Sequence, residues 1–198
     1  MGDRLGGADA DLHPRRLWHR NREDMFSCFG QGVVDRGWSL VVPGHTLAPD
    51  AGLPDIVAEI GTCLDVLQAH RERYGLLGPV ILSGWSSGGH LAAMHTDHPF
   101  VFATVCLSGL YDLRPIVSTP FINDPVRMTD AVARSCSGLL RASPRKPVVI
   151  CAGQDELPPL VNDAVDYAEK LRRDGRDVRL LLVPGADHPT MLHELAEF

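Results

Sequence analysis

Five consecutive residues, Gly84-Trp85-Ser86-Ser87-Gly88, carry the strongest chemical signal in the chain. They follow the apolar run PVILS and precede a stretch of small residues, so they read as a sharp strand-to-helix turn, the G-x-S-x-G nucleophile elbow. Such a turn strains the serine and exposes its hydroxyl. Glycines two residues to either side are expected because a side chain at either would meet the neighbouring chain. The register selects Ser86, since Ser87 as nucleophile would put Trp85 where a glycine must stand. Ser87 is instead expected to offer its backbone N–H to a developing oxyanion, aided by the positive end of the helix that starts there. A Gly/Ser turn without chemistry is the bland reading, and the strand before and helix after argue against it.

A serine hydroxyl attacks well only when a histidine takes its proton and a carboxylate orients that histidine. The order in a strand–elbow–helix architecture is serine, acid, histidine. After the apolar run PVVICA come Gly153-Gln154-Asp155-Glu156, and after LLLVPG come Ala186-Asp187-His188. Both sites are strand exits, where ligands of parallel sheets gather. His188 is the histidine, because His193 falls in the final helical stretch and is expected to face solvent. The acid is Asp155 or Glu156, adjacent residues of which one can point inward. Asp187 reads as a solvated or turn-capping carboxylate. His90, His95 and His98 lack metal-site spacing and read as surface or loop residues; no metal is expected.

The elements that must position these groups follow from periodicity. A helix is expected over about 21–34, capped by Asn21 with Glu23 and Asp24 in its first turn, and a buried strand over 38–44 (WSLVVPG). Ile56, Ile60, Leu64 and Leu67 mark a helix from Leu53 to Tyr74 closed by Gly75. Strands are expected at 79–84, 102–108, 147–153 and 177–185, and helices at 87–95, near 160–173 and near 190–197. Apolar strands alternating with amphipathic helices predict an α/β fold, a mostly parallel sheet with helices on both faces. Residues 109–146 are irregular and are expected to form a small cap-like insertion.

Composition sets the remaining bounds. The 198 residues carry 19 Lys+Arg against 25 Asp+Glu, a net charge of −6, with 44% hydrophobic residues. That suits one soluble domain with a real core and gives no basic face for nucleic acid. Five widely spaced cysteines, Cys28, Cys63, Cys106, Cys136 and Cys151, read as reduced thiols in a cytoplasmic protein. The polar N-terminus is no signal peptide, and no window is apolar enough to span a membrane.

Three segments resemble the α/β-hydrolases and, among them, the kynurenine formamidase (arylformamidase) group, related to hormone-sensitive-lipase-type esterases. They are SGWSSGGHLAA (83–93), with Trp85 where the group commonly has histidine, the less generic SGLYDLRPI (108–116), and the pairing of GQDE with GADH. The resemblance runs from about Arg22 to the end. It implies Glu156 as the acid, three residues after the glycine ending its strand, with Asp155 as the alternative. It also implies hydrolysis of an N-formyl aromatic amine such as N-formylkynurenine, giving kynurenine and formate in tryptophan breakdown, without a cofactor. The expected partner is a small-molecule substrate, with no nucleic acid and no membrane; a homodimer is left open. A general carboxylesterase acting on short acyl esters is the alternative, because the elbow does not discriminate ester from amide.

The chain departs from that group at its N-terminus. An H-G-G motif would supply a second oxyanion donor, yet His13-Pro14-Arg15-Arg16-Leu17-Trp18 offers a proline without an N–H and two bulky arginines, and Leu5-Gly6-Gly7 lacks the histidine. The strand leading into that motif, which belongs between 38–42 and 79–83, has no counterpart, nor do the opening edge strands. Residues 1–20 are therefore read as an atypical N-terminal segment, expected to be disordered, before a single domain over 21–198. The expectation is a hydrolase fold lacking its first strands, a truncated form of a longer enzyme. Losing one oxyanion donor costs on the order of 10²- to 10³-fold in turnover, so a weak or silent hydrolase is the third reading.

Overall fold

The computed structural model describes residue 18 and residues 30–192. The expectations placed on 1–17, on Asn21, Glu23, Asp24 and Cys28, and on His193 with the rest of the last helix lie outside the described residues. The chain runs through α1 (Gln31–Asp35), α2 (Leu53–Ala69), β1 (Ile81–Trp85), α3 (Ser87–Met94), β2 (Ala103–Leu107), α4 (Arg114–Val117), α5 (Pro120–Val126), α6 (Asp130–Cys136), β3 (Val148–Gly153), α7 (Pro158–Arg173) and β4 (Val178–Val183). Short 3₁₀ turns occupy Gly138–Leu140 and Thr190–Leu192.

All four strands are parallel in the order β1-β2-β3-β4. Alternate residues point to opposite faces. Val148, Ile150 and Ala152 of β3 join Cys106 and Ala92 against Ala164, Tyr167, Ala168 and Leu171 of α7. On the other face Leu107 and Cys151 meet Ala186 and Met191, with Trp85, Val105, Val149 and Val183 around them. Among the described residues the turn holding Met191 packs on that second face.

Local sequence explains α2. Pro54 starts it, the Asp55 carboxylate accepts the Gly52 N–H at 3.3 Å, and Ile56, Ile60 and Leu64 return every fourth residue to the buried face. The helix stops at Ala69, five residues before Tyr74, and residues 70–75 continue as turns ending at Gly75 (φ +68°). After Leu67 the residues His70, Glu72, Arg73 and Tyr74 are exposed and the apolar stripe ends, so little offsets the entropy of further helix.

The strand expected at 38–44 does not form among the described residues. Trp38, Leu40 and Val41 are 47%, 43% and 44% exposed, and the segment makes no ladder bonds among the described residues. A parallel strand is held by neighbours, and among the described residues β1 pairs with β2 alone. The 109–146 segment, by contrast, is ordered. Leu113, Ile116, Val126, Met128, Ala133 and Cys136 share one core with Ile56, Ile60 and Leu64 of α2, so it is anchored to the body of the domain.

Candidate active site

Every expected site residue lies at the C-terminal rim of the sheet. Ser86 follows β1, Glu156 follows β3 and His188 follows β4. Among the described residues β1 and β4 are the two edges, three strand spacings or roughly 14 Å apart, so the chain must cross the rim to bring the histidine to the serine. Gly153 makes that crossing feasible: a Cβ there would sit 2.1 Å from the Ala186 carbonyl oxygen. The Gln154 N–H donates to Val183 O at 2.9 Å and the Asp155 N–H to Ala186 O at 3.0 Å, drawing the β4 exit across β3.

The resulting chain of contacts is continuous. His188 Nε2 lies 3.0 Å from Ser86 Oγ, and His188 Nδ1 lies 2.8 Å from Glu156 Oε2. Ser86 has φ +57° and ψ −121°, the strained conformation expected of an elbow nucleophile. Its helix α3 begins at Ser87, whose backbone N–H donates to no backbone acceptor among the described residues. That leaves the donor free at the positive end of the helix.

The flanking glycines behave differently from expectation. A Cβ at Gly84 would lie 2.2 Å from the Gly88 carbonyl oxygen, a hard clash, whereas one at Gly88 would meet nothing within 4 Å among the described residues. The tight approach on the far side belongs to Gly89, whose Cβ would come within 2.9 Å of Gly109 Cα. The elbow needs its second glycine one residue later because α3 turns its close-packed face toward β2 there.

Between the two candidate acids the fold selects by burial. The Glu156 side chain is fully buried, while Asp155 is exposed and does not reach His188. Glu156 Oε1 accepts the Ser108 hydroxyl at 2.5 Å and the Gly153 N–H at 2.8 Å. Burial alone would push this carboxyl up, yet the hydrogen bonds from His188, Ser108 and Gly153 together outweigh it and hold the carboxyl below its ordinary value. Asp187 caps its own turn, accepting the Thr190 N–H at 3.0 Å and the Thr190 hydroxyl at 2.7 Å.

Ser108 is the site residue that spacing alone does not reveal. It ends β2 with φ +48°, and the signal in the sequence is its place at a strand exit, opening the SGLYDL string. Asp163 explains the rest of that string. From α7 it accepts the N–H groups of Tyr111 at 2.6 Å and Asp112 at 3.0 Å, and burial pushes its carboxyl up to about 7. An aspartate among the apolar positions of α7 was its sequence signal.

Of the other histidines, His90 is corrected inward. His90 is 1% exposed, with Nε2 2.8 Å from Cys136 O and its ring edge-on to Trp18 at 5.2 Å; burial pushes its pKa down to about 4. His95 reaches Val57 O at 2.8 Å and His98 reaches Asp65 at 3.1 Å. His95 and His98 lie in the turn and loop after α3, as expected, and only His90 is drawn into the core; no cluster of metal-ligating side chains occurs among the described residues. Cys63, Cys106, Cys136 and Cys151 are free thiols. Burial pushes Cys106 up to about 12 and Cys151 up to about 11, so neither is a thiolate rival to Ser86.

Comparison with known proteins agrees with this architecture. The BD-FAE family model matches residues 18–99, the part holding the elbow. The chain is 29% identical over 181 residues to a kynurenine formamidase of Salmo salar, covering 83% of this chain and 60% of that protein. It is 28% identical over 195 residues to one of Danio rerio, covering 91% and 65%. The chain thus spans less than two thirds of the length of these relatives. In structure it is similar to carboxyl esterase 2 of Tuber melanosporum, with a TM-score of 0.74 at 15% identity over 91% of this chain and 68% of that one. The parallel sheet, the strained serine turn and these likenesses give the chain an α/β-hydrolase fold and a similarity in sequence to the kynurenine formamidases.

Proposed function

We propose that the chain is a serine hydrolase that cleaves a small aryl formamide of the N-formylkynurenine kind through an acyl-enzyme. The observation that carries this reading is the unbroken Ser86–His188–Glu156 contact chain, at 3.0 and 2.8 Å, with the acid fully buried. The formyl substrate is supported by the likeness to the kynurenine formamidases.

In this mechanism Ser86 Oγ attacks the formyl carbon while His188 Nε2 takes the hydroxyl proton. Glu156 holds Nδ1–H and offsets the charge on the imidazolium. The oxyanion of the tetrahedral intermediate meets the Ser87 N–H at the start of α3. His188 then returns the proton to the aryl nitrogen, the C–N bond breaks and the arylamine leaves. Water, deprotonated by His188, attacks the formyl-serine and releases formate. The chemistry calls on these side chains and water, without a metal or organic cofactor.

A carboxylesterase acting on short acyl esters is the second reading, favoured by the structural likeness to an esterase. Its acylation would use the same three residues. We place the protein in the cytoplasm on the strength of its free thiols, with a small molecule as its partner, and no described helix is long and apolar enough to cross a membrane.

A fluorophosphonate probe followed by peptide mapping tests the mechanism: labelling at Ser86, abolished in Ser86→Ala, is expected. An unlabelled folded chain refutes it and leaves a silent hydrolase-like protein. Faster turnover of N-formylkynurenine than of p-nitrophenyl acetate is expected, and the reverse order selects the esterase.

A further inference from the structure

The residue before the nucleophile is a tryptophan that meets the histidine through both its indole N–H and its ring. Trp85 ends β1 and directs its side chain to the face that carries Leu107, Cys151, Ala186 and Met191. Its indole Nε1–H donates to the His188 carbonyl oxygen at 2.9 Å, joining positions 103 residues apart. Its ring lies 4.8 Å from the His188 imidazole, centroid to centroid, tilted by 36°.

These contacts act where the His188 loop is otherwise loosely held. Neighbouring ties stop on either side of the histidine: Asp155 N–H reaches Ala186 O, and Asp187 and Thr190 bond to each other. Neither the N–H nor the carbonyl of His188 takes part in a backbone–backbone bond among the described residues. The indole N–H is thus the hydrogen bond that fixes the His188 main chain relative to the serine strand. The imidazole itself is 28% exposed, so water reaches one flank while the indole occupies another.

We propose that Trp85 is a positioning residue for His188, pinning its backbone through the indole N–H and steadying its imidazolium through the ring face. This rests on the serine-hydrolase reading above. The two contributions differ in when they act. The hydrogen bond is present before and during reaction and keeps Nε2 within reach of Ser86 Oγ, where small displacements are costly. The ring contact strengthens as His188 gains the proton, because a cation within about 6 Å of an indole face is attracted to it. An interaction that grows toward the transition state raises kcat and leaves KM nearly unchanged.

The experiment uses the full chain and two variants, Trp85→Phe and Trp85→Ala, with folding checked by circular dichroism. Phenylalanine keeps a ring beside the imidazole and removes the N–H; alanine removes both. The readouts are the rate of fluorophosphonate labelling at Ser86 and the separate kcat and KM for p-nitrophenyl acetate. Labelling is expected to fall about three- to tenfold in Trp85→Phe, the worth of one neutral hydrogen bond, and about thirtyfold or more in Trp85→Ala. The loss is expected in kcat, with KM changed by less than about twofold. Should Trp85→Ala fail to fold, Trp85→Phe carries the test. Wild-type labelling and kcat in a folded Trp85→Phe, or a loss confined to KM, overturns the proposal while the serine mechanism stands. A wild-type chain that does not label at Ser86 overturns both.

Discussion

Replacing Ser108 by alanine tests whether Glu156 works as a buried carboxylate held by several donors. The Ser108 hydroxyl is 2.5 Å from Oε1, Ser108 is 2% exposed and the Glu156 side chain is fully buried, so water cannot replace the lost donor. A hydrogen bond to a charged group contributes about 1.5–3 kcal/mol, and that range is the expected loss of unfolding free energy at pH 7. The folded Glu156 carboxyl lies below its ordinary value. Its contribution is therefore present above the unfolded value of 4.5 and is lost as pH falls through the folded value. Removing one of the bonds that lower it moves the acid limb of stability to higher pH in the variant. The gap between wild type and variant then narrows as pH falls through the variant's folded value, because the unfolded carboxyl is common to both proteins and cancels. Urea unfolding at pH 7, 5 and 4, with m compared between proteins, reads both effects. A freer carboxylate also orients His188 less well, so labelling of Ser86 is expected to slow about tenfold, equivalent to about 1.4 kcal/mol. A difference below about 0.5 kcal/mol at pH 7, or one independent of pH, refutes the argument.

Two further outcomes are expected. Gly84→Ala drives a Cβ to 2.2 Å from a backbone oxygen that cannot move without α3, and is expected to lose about 3 kcal/mol or to express insoluble. Gly88→Ala, in open space within α3, is expected to melt at or slightly above the wild-type temperature, about 0.5–1 kcal/mol more stable; equal damage in both variants would contradict the elbow geometry. His90, with its pKa pushed from 6.5 down to about 4, binds fewer protons folded than unfolded, so stability rises with pH across that window. About 2 kcal/mol is expected to disappear between pH 7 and pH 5, and His90→Asn, followed by urea unfolding, is expected to flatten that slope.

Local chemistry made much of the fold legible. The continuous apolar runs of β1 to β4 and the amphipathic α2 and α7 need only short-range pattern to be recognised, and each forms close to where its pattern lies. The failures have a common cause. Residues 38–44 have the composition of a strand but no neighbour to pair with among the described residues, and α2 ends where its apolar stripe ends, before the glycine that was to stop it. Spacing likewise gave His90 a surface or loop place, because nothing in one dimension shows that the Cys136 carbonyl waits beside its ring in the core.

The amino-acid sequence by itself determined the nucleophile turn, the serine–acid–histidine order and the parallel α/β architecture, since strand, turn and helix signals act over a few residues. The family resemblance favoured Glu156 over Asp155, and the tertiary structure is what sets Glu156 beside His188 and leaves Asp155 exposed, because adjacent residues differ in which one the fold buries there. Tertiary structure also decided that Ser108 supports the acid, that Gly89 in place of Gly88 makes the tight approach, and that Trp85 holds the histidine loop. Those contacts join residues up to 103 positions apart across a four-stranded sheet, and the spacing of strands fixes them only once the sheet has assembled.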